Sequence, residues 1–76
     1  MRFAAPVEVV SGRLAAQAGS LERIDDATCR YSCAPDSWEW LAVTVAAVGV
    51  PYVIESPQEL RAHTKLLAER ISAAAN

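Results

Sequence analysis

Glycine, histidine and cysteine are scarce: the chain has three, one and two of them in 76 residues. The scarcity excludes several chemistries. A phosphate cradle after the first strand would want glycines and free backbone N–H groups, but that segment reads AAPVEV (residues 4–9), with a proline that has no donor. His63, the lone imidazole, falls between Leu60 and Thr64 on the solvated side of a helix pattern with no nucleophile nearby. It reads as an exposed helix histidine, and the carboxylates Asp25 and Asp26 read as turn formers, so no catalytic residue is nominated. Cys29 and Cys33 are spaced C-x3-C in TCRYSCA. On a strand they point to one face roughly 13 Å apart, too far for a disulfide. With the histidine in another segment no metal site forms, and the thiols read as buried small hydrophobes.

Positive charge is also in short supply. Seven Lys and Arg against nine Asp and Glu give a net charge of −2. A surface that is all nucleic-acid footprint is excluded, while a local basic patch is not. No run reaches the roughly 18 apolar residues of a membrane span, and the N-terminus lacks the pattern of a secretory signal. A cytoplasmic location without membrane contact is the expectation. Met1 runs directly into a strand pattern, which suggests a piece of a longer protein.

What the chain has in plenty is apolar surface, 53% of its residues, enough for one folded domain over 1–76. MRFAA (1–5) alternates like a short strand. Pro6 suits a first helical residue, Glu8 a helix start, and Val7, Val10 and Leu14 make a helical stripe through about Gln17. Gly19 ends that unit. SLERI and TCRYSC flank DDA, a hairpin signal, in which Cys29, Tyr31 and Cys33 share a face; Leu21 and Ile24, three apart, require a bulge or a strand end. Asp36 with Glu39 makes a capping box for a helix that Gly49 closes at C′. PYVIE (51–55) is a strand. Ser56 as cap, Pro57 as first residue and Glu59 open a last helix, with Leu60, Thr64, Leu67 and Ile71 buried and Arg61, Lys65, Glu69 and Arg70 outward.

The order β-α-β-β-α-β plus one C-terminal helix predicts an α+β, ferredoxin-like split βαβ sandwich with a four-stranded antiparallel sheet, the first and third strands central. One sheet face then stays open. With Phe3, Cys29 and Tyr31 turned to the helices, that face carries Arg2, Ala4, Arg30 and Ser32. Arg2 and Arg30 become neighbours and candidate contacts for an anionic effector or a nucleic-acid backbone. Arg23 joins them only if the second strand turns it the same way. RNA-recognition domains stack bases on aromatics of the central strands, but here both aromatics point inward and TCRYSCA lacks the basic-Gly-aromatic motif.

The helix DSWEWLAVTVAAVG (36–49) carries two apolar stripes. Trp38, Leu41, Ala42, Val45 and Val48 suffice to cover the sheet. Trp40, Val43 and Ala47, beside Thr44, are surplus, expected against the C-terminal helix or another chain.

Three stretches carry a family resemblance: the acidic-turn hairpin LERIDDATCRYS, the helix DSWEWLA running into VGVPYVIE, and the helix opening SPQELR. Together they resemble the C-terminal extension (WCX) domain of WYL-domain transcriptional regulators, over nearly the whole chain. The resemblance implies a non-catalytic effector-sensing and dimerisation module without a cofactor. It would belong to a longer regulator whose N-terminal helix-turn-helix binds promoter DNA and whose WYL domain helps to sense a ligand, in some members single-stranded nucleic acid. Self-association or contact with the WYL domain is then expected. SWEW is not the Trp-Tyr-Leu motif of that central domain, so none of its ligand contacts carries over. The alternative is a free-standing ferredoxin-like domain that binds a small molecule as an effector site. A reading frame of about this length would favour the alternative.

Overall fold

The computed structural model describes every residue except 15–18 and 35–36. Among the described residues it is an α+β fold of four strands and three helices: β1 (Arg2–Phe3), α1 (Val7–Arg13), β2 (Ser20–Arg23), β3 (Cys29–Ser32), α2 (Trp38–Ala46), β4 (Tyr52–Val53) and α3 (Gln58–Ala74). The sheet is antiparallel throughout, in the order β2-β3-β1-β4, with β1 and β3 central as expected. The two-residue pairing of β1 is extended by bonds from the Tyr31 N–H to the Met1 carbonyl and from the Ala4 N–H to the Pro51 carbonyl, both 2.8 Å.

Residues opposite one another in an antiparallel sheet share a face, so the register sorts the side chains. One row across all four strands is Arg23, Cys29, Phe3 and Tyr52; Leu21 and Tyr31 form a second pair on the same face. Phe3, Cys29 and Tyr31 are buried there, and the Phe3 and Tyr52 rings pack 5.8 Å apart, tilted by 39°. The inward assignment of Phe3, Cys29 and Tyr31 holds, and both cysteines are free thiols. Val10, Leu41, Ala42, Val45, Val48 and Leu60 close the core from the helices.

Several local expectations are corrected. Pro6 is the N-cap of α1, not its first residue, and α1 stops at the extended Leu14; Gln17 lies outside the described residues. β2 ends at Arg23 and leaves Ile24 exposed, which accounts for the three-residue spacing from Leu21. The cap of α2 is Ser37, whose hydroxyl accepts the Trp40 N–H at 3.1 Å. A β-region backbone and a hydroxyl aimed at the third N–H are what a cap needs, and Asp36 lies outside the described residues. Ala47 is the C-cap, and Gly49 turns the chain two residues later at φ 82°. In α3, Pro57 occupies the cap position with extended backbone and no side-chain cap bond. Ser56 therefore stands one residue too early to cap.

The α2 stripe of Leu41, Ala42, Val45 and Val48 is core, with Trp38 packed against it. Thr44 is also buried, and its hydroxyl is satisfied by the Trp40 carbonyl at 2.7 Å. α3 packs chiefly on α2, but its buried stripe is shorter than the periodicity predicts. Leu60 is buried and Thr64 and Leu67 half-buried, whereas Ile71 is 58% exposed, because the last turns of α3 extend past the core residues.

Candidate effector-binding face

Alternation along the strands places Arg2, Arg30, Ser32 and Val53 on the face opposite the core, all exposed. The register lays Glu22, Arg30, Arg2 and Val53 side by side in one row from edge to edge. Arg2 and Arg30 are thus directly opposed on the two central strands. Like charges in such a position repel, and the structure compensates on both sides. The Arg30 guanidinium forks onto Glu55, donating from Nε to Oε1 at 2.9 Å and from Nη2 to Oε2 at 2.8 Å. That bond holds the Glu55 carboxyl below its ordinary value, with the Arg30 charge and Arg2 contributing, and raises Arg30 further. Glu22, across the strand from Arg30, adds to the same effect.

Arg2 makes no hydrogen bond or ion pair among the described residues, and is the available cation of the row. Beside it the face dips into a cleft of about 440 Å³ bordered by Ala4, Ile24, Thr28, Arg30 and Val53. The Asp25 turn forms the far wall. The Asp25 carboxylate accepts the Ala27 N–H and the Thr28 hydroxyl, both at 2.8 Å, and those bonds hold it below its ordinary value. Chemically the face offers one uncommitted guanidinium and a second held by an exchangeable carboxylate, with apolar Val53 and Ile24 at the borders. An arriving phosphate or carboxylate can bond Arg2 directly and compete with Glu55 for Arg30.

Arg23 does not join this pair. Its register partner is Cys29, so it belongs to the opposite face at the strand end, where it is exposed and ion-paired with Asp26 in the turn. Glu55 and Glu22 are the residues that sequence reasoning missed. Glu55 was legible in principle: two residues beyond Val53, it shares the outward parity of Arg2's partner.

A second cleft, about 560 Å³, opens where Tyr31, Cys33, Trp38, Leu41, Glu55 and Pro57 meet. Burial and a hydrogen bond to Cys33 push the Tyr31 phenol up to about 12, and burial also raises the Cys29 thiol. Both shifts favour the protonated forms of these two groups. Among the described residues no cluster of His, Cys, Asp and Glu has the makings of a metal site, and no helix is long and apolar enough to cross a membrane.

The surplus stripe of α2 is the other candidate surface. Trp40 and Val43 are 48% and 49% exposed and Ala47 is exposed as well, so about half of each of the two larger side chains stays open to solvent. Comparison with family models, curated proteins and solved structures finds no match for this chain.

Proposed function

We propose that this chain is a non-catalytic effector-sensing and dimerisation module of a DNA-binding transcriptional regulator, of the kind that ends the WYL-domain regulators. The observation that carries the sensing half is the opposed pair Arg2 and Arg30 on the central strands of an uncovered sheet face. Its architecture supports a ferredoxin-like reading. β1 runs parallel to β2 with β3 between them, and β3 runs parallel to β4 with β1 between them, so each βαβ unit is split by a strand of the other. The effector is anionic, with single-stranded nucleic acid the leading class, and binds in the cytoplasm together with a neighbouring WYL domain. Promoter DNA is contacted by a helix-turn-helix elsewhere in the regulator.

The cleft beside Arg2 favours one second reading, a free-standing domain that binds a small anionic molecule there. Fluorescence anisotropy with short labelled single strands, at two salt concentrations, separates the readings and tests the first. Arg2→Ala is expected to weaken binding and to lower the salt slope by about 0.7, one phosphate contact on a single strand. Affinity that grows with strand length favours nucleic acid, and affinity saturated by a mononucleotide favours the small molecule. Equal binding by the wild type and the Arg2→Ala/Arg30→Ala variant removes both arginines from the account.

A further inference from the structure

Arg30 borders two clefts, and the function proposed above uses only the one that it shares with Arg2. The lining of the other sorts into two kinds of surface. Tyr31, Trp38, Leu41 and Pro57 supply aromatic and aliphatic walls, Tyr31 and Leu41 buried, Trp38 and Pro57 half-buried. Its charged side chains are Arg30 and Glu55, joined by the fork of bonds at 2.9 and 2.8 Å and still 44% and 34% exposed. The fork leaves capacity on both partners. A guanidinium has five N–H donors and a carboxylate about four acceptor positions. The fork takes Nε and Nη2 of Arg30 and one position on each Glu55 oxygen, and Nη1 makes no bond among the described residues. The Met1 amino group also borders the cleft, but it donates to the Tyr31 carbonyl at 2.8 Å, and its burial disfavours the charged form.

We infer that this cleft binds a free α-amino acid with a large apolar side chain. The ligand carboxylate accepts from Nη1 of Arg30, its ammonium donates to an open position on Glu55, and its side chain packs against Trp38, Leu41 and Pro57. Four charges of alternating sign then close a ring without breaking the fork. That ring selects the ligand class. A ligand of one charge places it beside a like neighbour or must break the fork, and a neutral apolar one strips water from two ions without replacing its bonds. The volume, about 560 Å³, lies within the ~300–1,000 Å³ of small-molecule sites. The inference goes beyond the sensing reading, since it requires neither a nucleic acid nor a neighbouring domain. Because Arg30 serves both clefts, an anion that draws it toward Arg2 opens the ring, so the two ligands weaken each other by the same factor.

The test is chemical-shift mapping of the isotope-labelled 76-residue chain with L-phenylalanine, phenethylamine and 3-phenylpropionate, which share a ring and differ in charge. Phenylalanine is expected to give saturable shifts at Ser32, Cys33, Glu55 and the Trp38 indole, and each singly charged analogue to bind at least about tenfold more weakly. Glu55→Gln changes an exposed position, and circular dichroism confirms that the fold is kept. It is expected to weaken phenylalanine at least about tenfold, while 3-phenylpropionate, relieved of a like charge, binds no worse than before. No saturation at tens of millimolar, equal affinity of either analogue, or shifts centred away from this cleft overturns the inference. Anisotropy with the labelled single strand on the same protein keeps that failure apart from a failure of the sensing reading, since a chain that binds the strand and ignores phenylalanine loses this inference alone.

Discussion

Truncating Leu60 to alanine is the sharpest test of how α3 is held. Leu60 is the only residue of α3 that is fully buried, at 0% exposure. The other attachments are half-buried Leu67 and Thr64, the Arg61 guanidinium donating to the Ile54 and Glu55 carbonyls at 2.8 and 3.1 Å, and the exposed Arg70–Glu39 pair. Removing three carbons from a filled site forfeits their transfer free energy and leaves a cavity, together about 3 kcal/mol. A domain of this length has a total stability of about 4–11 kcal/mol. With a urea m-value of about 1 kcal/mol per molar for a protein this small, the midpoint falls by roughly 3 M in the Leu60→Ala protein. Leu66→Ala, at a position 61% exposed, is the control and is expected within about 0.5 kcal/mol of wild type. Both are measured at dilute, monomeric concentration by urea titration followed by circular dichroism. A Leu60→Ala loss below about 1 kcal/mol, or a Leu66→Ala loss as large as that of Leu60→Ala, refutes the packing described for α3.

Three further outcomes are expected. Gly19 has φ 107°, and a Cβ built there meets the Ser32 carbonyl oxygen at 2.4 Å and Cys33 Cβ at 2.5 Å, so Gly19→Ala lowers stability by about 1–3 kcal/mol in a urea melt. Asp25, Glu39 and Glu55 have folded-state values held below their ordinary 3.8, 4.5 and 4.5. Their stabilisation is therefore complete above about pH 5 and is lost as pH falls through the lowered values; Glu39→Gln/Glu55→Gln flattens that acid limb of a stability profile. Glu55→Gln also frees Arg30, so the anionic probe binds more tightly and its salt slope rises by up to about 0.7; unchanged binding contradicts the competition between Glu55 and an anion.

Much of the fold was legible because local chemistry and global pattern agree. Alternation in MRFAA and TCRYSC placed Phe3, Cys29 and Tyr31 inward, and with the element order it also placed Arg2 beside Arg30. The α2 core stripe followed from helical spacing alone. Helix starts slipped by a residue where two cap formers, or a serine and a proline, stand in sequence, since cap identity depends on which backbone turns extended. Periodicity assigned Ile71 to the core because a helical repeat does not tell where the underlying body ends. Arg23 was left undecided by sequence because its outward or inward parity depends on the hairpin register. Glu55 was missed for a different reason: its partner Arg30 is 25 residues away, and the pairing emerges only when the outward parity of Val53 is carried two residues on and combined with the strand order.

The most direct test of the sensing claim is amide chemical-shift mapping of the isotope-labelled chain titrated with a short single strand at low salt. The account predicts the largest shifts at Arg2, Arg30, Ser32 and Val53, with Glu55 moving as its ion pair exchanges and the amides of α1 unaffected. Shifts centred on the helices, or none at the open sheet face, would contradict it.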